Sequence, residues 1–441
     1  MPISNRTKKV ITAVSLFIML AICFNIIGYI LEPSSYALYF NHDLEEIEKT
    51  ESRVDLAFVG ASRVYRSFVP EVFEEKIGVQ NVVNAGSSSQ PIEASYYQTK
   101  ELIDRFHPKE IVLGVTWDEL LITDDSNIQG GLIVYDRLHG LNKWKFALSY
   151  FAPSDWLYLL DAYRFRENLD LQDPLKYISE KEEIVQRDYE CPEAGNEYYA
   201  DTGFVYSYRT YTQGNIEKKV EEKIFRKSQI DEKKVQYLNK IVKLCKDNDV
   251  RLQLVSGITS MMRIYESAGY QDAVDFYNNY AEENGIVYYN LNYLKGREEI
   301  FPDSVMHDDN HLNGEGATKL SEIYAEILKK DMCGEDTSIY FYNNLEELKK
   351  DTKRIVAIKA DIERNQNKCI IEMESTHNDN INPEYQVEIS SDNGKTYEVI
   401  SAWNESDKVS IDLLTEGEVY IMVKARIGAT DNDVAFQTYS I

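Results

Sequence analysis

The chain has 441 residues, room for two or three domains, and its hydrophobic fraction of 43% is that of a folded globular protein. A net charge of −26 makes DNA, RNA and anionic lipid poor electrostatic partners, so no nucleic acid is expected. The five cysteines are widely spaced with no CxxC pair, so they signal no metal site, and the sequence asks for no cofactor.

Taken in chain order, residues 10–31 form an apolar run without charge, long enough to cross a bilayer. Arg6, Lys8 and Lys9 precede it and Glu32 follows it, which predicts a cytoplasmic start and everything after Glu32 outside the cell membrane. A cleaved signal peptide is the alternative, but the run is long for one and no small-x-small site follows. In Leu20-Ala21-Ile22-Cys23, Ile22 is bulky where lipoprotein processing needs a small residue. One disulfide among Cys191, Cys245, Cys333 and Cys369 fits an extracytoplasmic setting, and spacing does not pair them.

Residues 32–52 read as a stalk with a short acidic helix. A βαβ rhythm follows: strands at 54–59, 79–83 and 110–115, with helices at 70–77 and 92–106. The rhythm breaks at Asp118, and about 120–214 reads as an insertion of short helices and loops that shapes a substrate groove or packs peripherally. It resumes with a helix over 216–248, a strand at 251–255, a helix over 270–283, a strand at 287–291 and a helix over 315–330. The α/β region thus spans 53–333. Residues 337–441 read as a β-sandwich, with strands at 340–342, 355–361, 369–374, 385–390, 397–402, 408–413 and 419–426. Many of the 32 tyrosines belong to core and interfaces, while those between Tyr198 and Tyr211 are candidates for stacking on sugar rings.

Two short segments carry the chemistry. Ser62 leaves the first strand on a tight Gly60-Ala61 turn, and Asp308 stands three positions before His311. A serine hydroxyl needs a general base within hydrogen-bond reach, and the base needs an acceptor to orient it. Of the six histidines, His311 is the best base. His307 is the rival, with Ser304 where an acid would be needed, and Asp309 reads as a solvent-facing or capping residue. Arg63 is a candidate for binding an anionic substrate group, and Asp118 with Glu119 a weaker candidate for an acidic centre.

Gly60-Ala61-Ser62 after the first strand, Asn84-Ala85-Gly86-Ser87-Ser88-Ser89 after the second and Asp308-x-x-His311 before the last helix together resemble the SGNH/GDSL hydrolase superfamily, over roughly residues 53 to 331. The resemblance implies a flavodoxin-like three-layer α/β/α fold with the site at the C-terminal edge of the sheet. It implies Ser62 as nucleophile, His311 as base and Asp308 as orienter, with the backbone N–H groups of Ser62 and Ser89 holding the oxyanion. This chain departs from the family pattern in two places. Ser89 stands where a glycine is usual, and no asparagine follows the third strand, where Thr116 is the substitute donor. The membrane anchor, these departures and the large insertion resemble a narrower group, the extracytoplasmic proteins of cell-envelope acylation, such as the D-alanyl transfer protein of teichoic-acid modification and the alginate acetylation proteins. That likeness implies a serine acyltransferase or esterase acting on an envelope polysaccharide or acylated glycan, beside a membrane-bound O-acyltransferase. The alternative is a non-catalytic, glycan-binding assembly scaffold for such an acyltransferase.

Overall fold

The computed structural model describes residues 5–50, 53–122, 127–211, 225–365, 368–378, 380–413, 418–428 and 434–441. The chain forms two compact units. One comprises Met1–Gly114, Ile122–Tyr206 and Ile230–Gln253, the other Val115–Leu121, Ser207–Gln229 and Leu254–Ile441.

In the first unit, the helix Asn5–Leu31 contains a stretch, Lys9–Leu31, long and apolar enough to cross a membrane. Its described side chains from Lys9 to Ile27 are all exposed, so among the described residues this stretch buries its apolar surface against no other part of the protein. Only its end is tied down. Gly28 abuts Asp161 so closely that an added Cβ would lie 2.7 Å from the Asp161 Cβ. The last carbonyls find donors in Lys181 Nζ, 2.7 Å from the Tyr29 oxygen, and Asn168 Nδ2, 3.1 Å from the Leu31 oxygen.

Strands β1 (Leu56–Val59), β2 (Val82–Asn84) and β3 (Glu110–Gly114) are parallel, with Leu56 opposite both Val82 and Glu110. β1 and β2 are buried throughout, as expected of strands covered on both faces. β2 starts at Val82 rather than 79 because Asn81 takes a left-handed φ of 51°. The helix Pro70–Ile77 opens with proline and closes on Gly78 at φ 76°, the favoured arrangement at its two ends. The insertion holds the helices Ile128–Arg137, Gly140–Tyr150 and Lys176–Gln186. It also holds a hairpin, β4 (Glu197–Asp201) with β5 (Phe204–Ser207), that the sequence did not announce.

With β6 (Arg251–Ser256) and β7 (Val287–Asn290), the main sheet runs β2-β1-β3-β6-β7. This is the flavodoxin-like order, and it reverses at β1, where ligands bind at the C-terminal strand ends in such sheets. The helix before β6 is shorter than expected, Glu232–Asp247, because the Asp231 side chain accepts from the Lys233 N–H and caps it. The earlier part of the expected helix, 216–224, lies outside the described residues. In the second unit Gly314–Met332 is the last long helix, capped by Asn313.

The C-terminal strands are β8 (Ala357–Asn365), β9 (Lys368–Thr376), β10 (Glu384–Ser390), β11 (Glu398–Asn404), β12 (Lys408–Asp412), β13 (Tyr420–Arg426) and β14 (Ala435–Ser440). They form two antiparallel sheets, β11-β10-β13-β14 and β12-β9-β8. A shared core of Cys369, Ile371, Val387, Ile421 and Val423 joins them as a sandwich. β14 is additional to the expected strands. The expected strand at 340–342 is instead a 3₁₀ turn, Ser338–Tyr340, followed by a single bridge from Phe341 to Leu294. All five cysteines are free thiols, so the disulfide open to the sequence is not formed, and burial pushes the Cys245 thiol up to about 12.

Candidate active site

The first half of the candidate site lies in the first unit, at the C-terminal end of β1. Gly60 turns the chain at φ 147°, where a side chain would strike Val64 and the Gly114 carbonyl. Ser62 then opens the one-turn helix Ser62–Tyr65 and is half-buried, as is Arg63. The loop after β2 is hung on the same strand: the Ala85 N–H donates to the Phe58 oxygen (2.8 Å) and the Ser87 N–H to the Gly60 oxygen (3.0 Å). Asn84, fully buried, stitches the two loops together. Its Nδ2 donates to the carbonyls of Val64 (3.0 Å) and Phe68 (2.7 Å), and its Oδ1 accepts from the Gly86 N–H.

Ser89 is exposed and takes φ 49°, the left-handed conformation that favours the glycine expected there. The insertion holds it in place, since Asn127 Nδ2 donates to the Ser89 carbonyl and Gly130 passes so close that a Cβ would lie 2.1 Å from that oxygen. The β4–β5 turn also packs here, with the Asn84 N–H donating to the Thr202 oxygen at 2.9 Å. Gly203 (φ 99°) leaves no room for a side chain beside the Asn84 oxygen.

The second half lies in the second unit. A tight loop is closed by the His307 N–H donating to the His311 oxygen at 2.8 Å. Asp308 organises it: Oδ1 accepts from the N–H groups of Asn310 (2.8 Å) and His311 (2.9 Å). His311 Nδ1 stands 2.8 Å from Oδ1 and 2.9 Å from Oδ2 of the same carboxylate. That arrangement assigns the proton to Nδ1 and makes Nε2 the basic nitrogen. Burial raises the Asp308 carboxyl, but the hydrogen bond and charge of His311, the Asn310 N–H and His307 outweigh it and hold the group at about 2.

His307, the rival base, has its Nδ1 2.7 Å from the Ser207 hydroxyl, with Nε2 3.8 Å from Asp308. Asp309 is not solvent-facing: Arg263 Nε donates to its Oδ2 at 2.7 Å, and its carbonyl accepts from the Ser260 N–H and the Thr259 hydroxyl. The Thr116 hydroxyl donates to Asp118 at 2.8 Å. Among the described residues no cluster of three metal-ligating side chains occurs.

The structure therefore brings Asp308 and His311 together, and places Ser62, Arg63 and Ser89 in one unit and Thr116, Asp308 and His311 in the other. Sequence reading missed the braces. Fully buried Arg297 donates to the Thr259 carbonyl (2.6 Å) and to Asn292 Oδ1 (3.1 Å), while Asn292 also receives the Thr259 N–H. This network anchors the segment that grips Asp309. On the other loop, Arg137 donates to the Ala85 and Gly86 carbonyls. Neither arginine sits in a local motif, and Arg137 lies more than 50 positions from its partners.

Fold and half-sites define an α/β protein of flavodoxin-like strand order, carrying a membrane-length apolar helix and a C-terminal β-sandwich. No family model and no curated protein matches the chain. Among solved structures, a GDSL-like lipase from Bacteroides thetaiotaomicron is similar at 12% identity and TM-score 0.31, over 67% of this chain and all of that one. A lipolytic protein of the G-D-S-L family from Desulfitobacterium hafniense is similar at 10% identity and TM-score 0.30, over 62% and 99%. A two-domain esterase active on acetylated mannans is similar at 12% identity and TM-score 0.27, over 91% and 94%. These scores are low, and the fold rests on the chain's own strand order.

Proposed function

We propose that the chain is a serine hydrolase of SGNH/GDSL type, an esterase or acyltransferase working on acyl groups of an envelope polysaccharide outside the cell membrane. Ser62 attacks the acyl carbonyl while His311 Nε2 takes its proton, and Asp308 stabilises the imidazolium. The oxyanion is held by the N–H groups of Ser62 and Ser89. His311 passes that proton to the alcohol oxygen that leaves as the acyl-enzyme forms; it then takes a proton from water or a sugar hydroxyl as that oxygen attacks the acyl carbon, and gives it to the departing Ser62 oxygen. The observation that carries this reading is the grip of both Asp308 oxygens on His311 Nδ1. The turn after β1, built to present a serine at a strand end, supports it. The exposed apolar helix Lys9–Leu31 supports an anchor, with a membrane-bound O-acyltransferase as a partner in the same membrane. We propose the domain plan 1–31 anchor, 32–52 stalk, 53–333 catalytic domain and 337–441 sandwich.

The test is fluorophosphonate labelling of the purified chain. A covalent adduct at Ser62 that vanishes in Ser62→Ala is the expected result. An inert Ser62, with envelope acylation unchanged in cells carrying Ser62→Ala, would sink the reading. A second reading, a glycan-binding scaffold, draws on one observation: the Thr116 hydroxyl is committed to Asp118, so its proton is not offered to an oxyanion.

A further inference from the structure

The insertion carries a run of large apolar side chains that face outward. Trp156, Leu157, Leu160, Leu169, Leu171 and Leu175 are each 45–85% exposed, Leu171 the most. Single exposed leucines are ordinary. Five of them with a tryptophan, all between 156 and 175, make an apolar surface of the kind that marks an interaction site.

The same stretch holds the end of the apolar helix. Leu160 adjoins Asp161, the residue that abuts Gly28, and Leu169 adjoins Asn168, which donates to the Leu31 carbonyl at 3.1 Å. Just past Leu175, the helix Lys176–Gln186 brings Lys181 Nζ to the Tyr29 carbonyl at 2.7 Å and to 4.2 Å from the centre of the Tyr29 ring. At 1.5 Å of rise per residue, Gly28 and Leu31 are about 4.5 Å apart along the helix axis. All three contacts therefore fall in the last turn, the turn that leaves the bilayer if this helix is an anchor.

The chemistry of the stretch suits a boundary rather than a crossing. Exposed Asp170 and Asp173 stand among the leucines and must keep their water, while the leucines gain by leaving it. Trp156 Nε1 donates to the Phe151 carbonyl at 3.3 Å, so the indole can enter lipid without stranding its only donor. The short turns satisfy much of their own backbone: the Leu160 N–H donates to the Leu157 carbonyl, and the Tyr163 and Arg164 N–H groups donate to that of Leu160. Residues 153–175 hold five acidic and two basic side chains, a net charge of −3, so anionic headgroups do not attract them and any attachment is apolar.

We infer that residues 156–175 rest in the boundary between headgroups and acyl chains of the leaflet from which the apolar helix emerges. The partner is the lipid bilayer itself. The inference rests on the anchor reading and adds a second, lipid-facing contact to it. The insertion, whose Asn127 and Gly130 brace the Ser89 loop, thereby also holds its unit against the membrane.

The test is fluorescence of the full chain in phosphatidylcholine vesicles whose acyl chains carry bromine near the headgroups. Bromine quenches the indoles it touches, and the chain has four tryptophans. The parent should lose more fluorescence than Trp156→Phe, and the difference should be the same at low and high salt. Equal quenching of the two proteins would overturn the assignment, as would a difference that vanishes at high salt. A photoreactive diazirine residue in place of Leu171, whose exposure leaves the fold undisturbed, gives the second measurement in intact cells. Adducts with phospholipid are expected. Adducts with a membrane protein and none with lipid would show that a protein covers this face, and would overturn the bilayer as its partner. A mature chain that starts beyond Leu31 would fail the anchor reading. An intact helix in phosphatidylcholine with Trp156 unquenched would fail the lipid-facing surface alone.

Discussion

Replacing Asp308 by asparagine tests the carboxylate that both shapes the His311 loop and aims its ring. The N–H groups of Asn310 and His311 point at Oδ1, so an asparagine must keep its carbonyl oxygen there. Its amide NH₂ then occupies the Oδ2 position, 2.9 Å from His311 Nδ1. Two donors then face each other at that contact, and Nδ1–H keeps only Oδ1, already shared with two backbone N–H groups; the conflict is relieved when the imidazole proton moves to Nε2, the nitrogen that must accept from Ser62. The imidazolium formed during attack also loses its counter-charge. Together these predict a fall in kcat/KM of roughly 100- to 10,000-fold. Stability should fall far less. The drop of the Asp308 carboxyl from 3.8 to about 2 is worth at most about 2.5 kcal/mol. With 42% of the side chain exposed, solvent screening reduces that to about 1 kcal/mol. Because the folded-state value is depressed, this contribution is complete above about pH 4 and disappears as pH falls through about 2. Urea midpoints of the two proteins should therefore differ at pH 7 and converge near pH 2. Hydrolysis of p-nitrophenyl acetate gives the rate. Asp308→Asn within threefold of the parent kcat/KM, with Ser62→Ala inactive, would refute the orienting role.

Ser62→Ala should lower ester hydrolysis by about 1,000-fold or more, with an unchanged melting temperature, as judged by kinetics and calorimetry. Asn84→Ala removes the bonds from its buried amide to the Val64 and Phe68 carbonyls and from the Gly86 N–H, and should cost about 2–4 kcal/mol in urea unfolding. A cost under about 0.5 kcal/mol would show that Asn84 does not brace the loops. Gly130→Ala puts a methyl group 2.1 Å from the Ser89 oxygen, so the backbone must shift, lowering stability by about 1–3 kcal/mol and slowing fluorophosphonate labelling; an unchanged labelling rate would count against Ser89 as an oxyanion donor. Mass spectrometry of the chain extracted from membranes should find residues 10–31 intact. A mature start beyond Leu31 would identify a cleaved signal peptide instead.

Much of the framework was legible because it is local. The alternation of apolar strands with amphipathic helices around Val82, Ile92–Phe106 and Ile111 is written in consecutive residues. The Asp308–His311 pair was legible for the same reason, since three positions of separation let one carboxylate reach both the backbone and the ring. What could not be read depends on distant partners. The start of Glu232–Asp247 turned on the cap Asp231, inside a charged run that continues the helical pattern. Tyr340–Tyr342 has strand-forming residues, but the stretch is drawn into a turn and one bridge by Leu294, which pairs with Phe341, and by the Tyr293 carbonyl, which accepts from the Tyr342 N–H. The β4–β5 hairpin has little apolar alternation of its own, and it lies against Asn84 through a backbone bond and the bare Gly203. Asp309 looked like a surface residue because Arg263 is 46 positions away.

Arg137 and Arg297 are braces of the same kind. Both are almost fully buried, and burial lowers both guanidinium groups to about 10. Both tie carbonyl oxygens of a loop next to candidate chemistry, replacing water that the interior excludes. Arg297 spends Nη1 and Nη2 on Asn292 and Thr259, with Glu298 and Asp303 contributing favourable charge, and its Nε, like that of Arg137, is buried with no hydrogen-bond partner among the described residues. Its function ends with holding the segment that grips Asp309. Arg137 spends Nη1 alone, and the carboxylate that acts on it is occupied by Arg164. A brace of the Ala85–Gly86 carbonyls needs hydrogen-bond donors but not a guanidinium fork. A lysine there could donate to the same carbonyls. Arg137→Lys should therefore keep the loop, with a urea midpoint close to the parent's, whereas Arg137→Met, which takes the donor away from both carbonyls, should lower stability by about 1–3 kcal/mol.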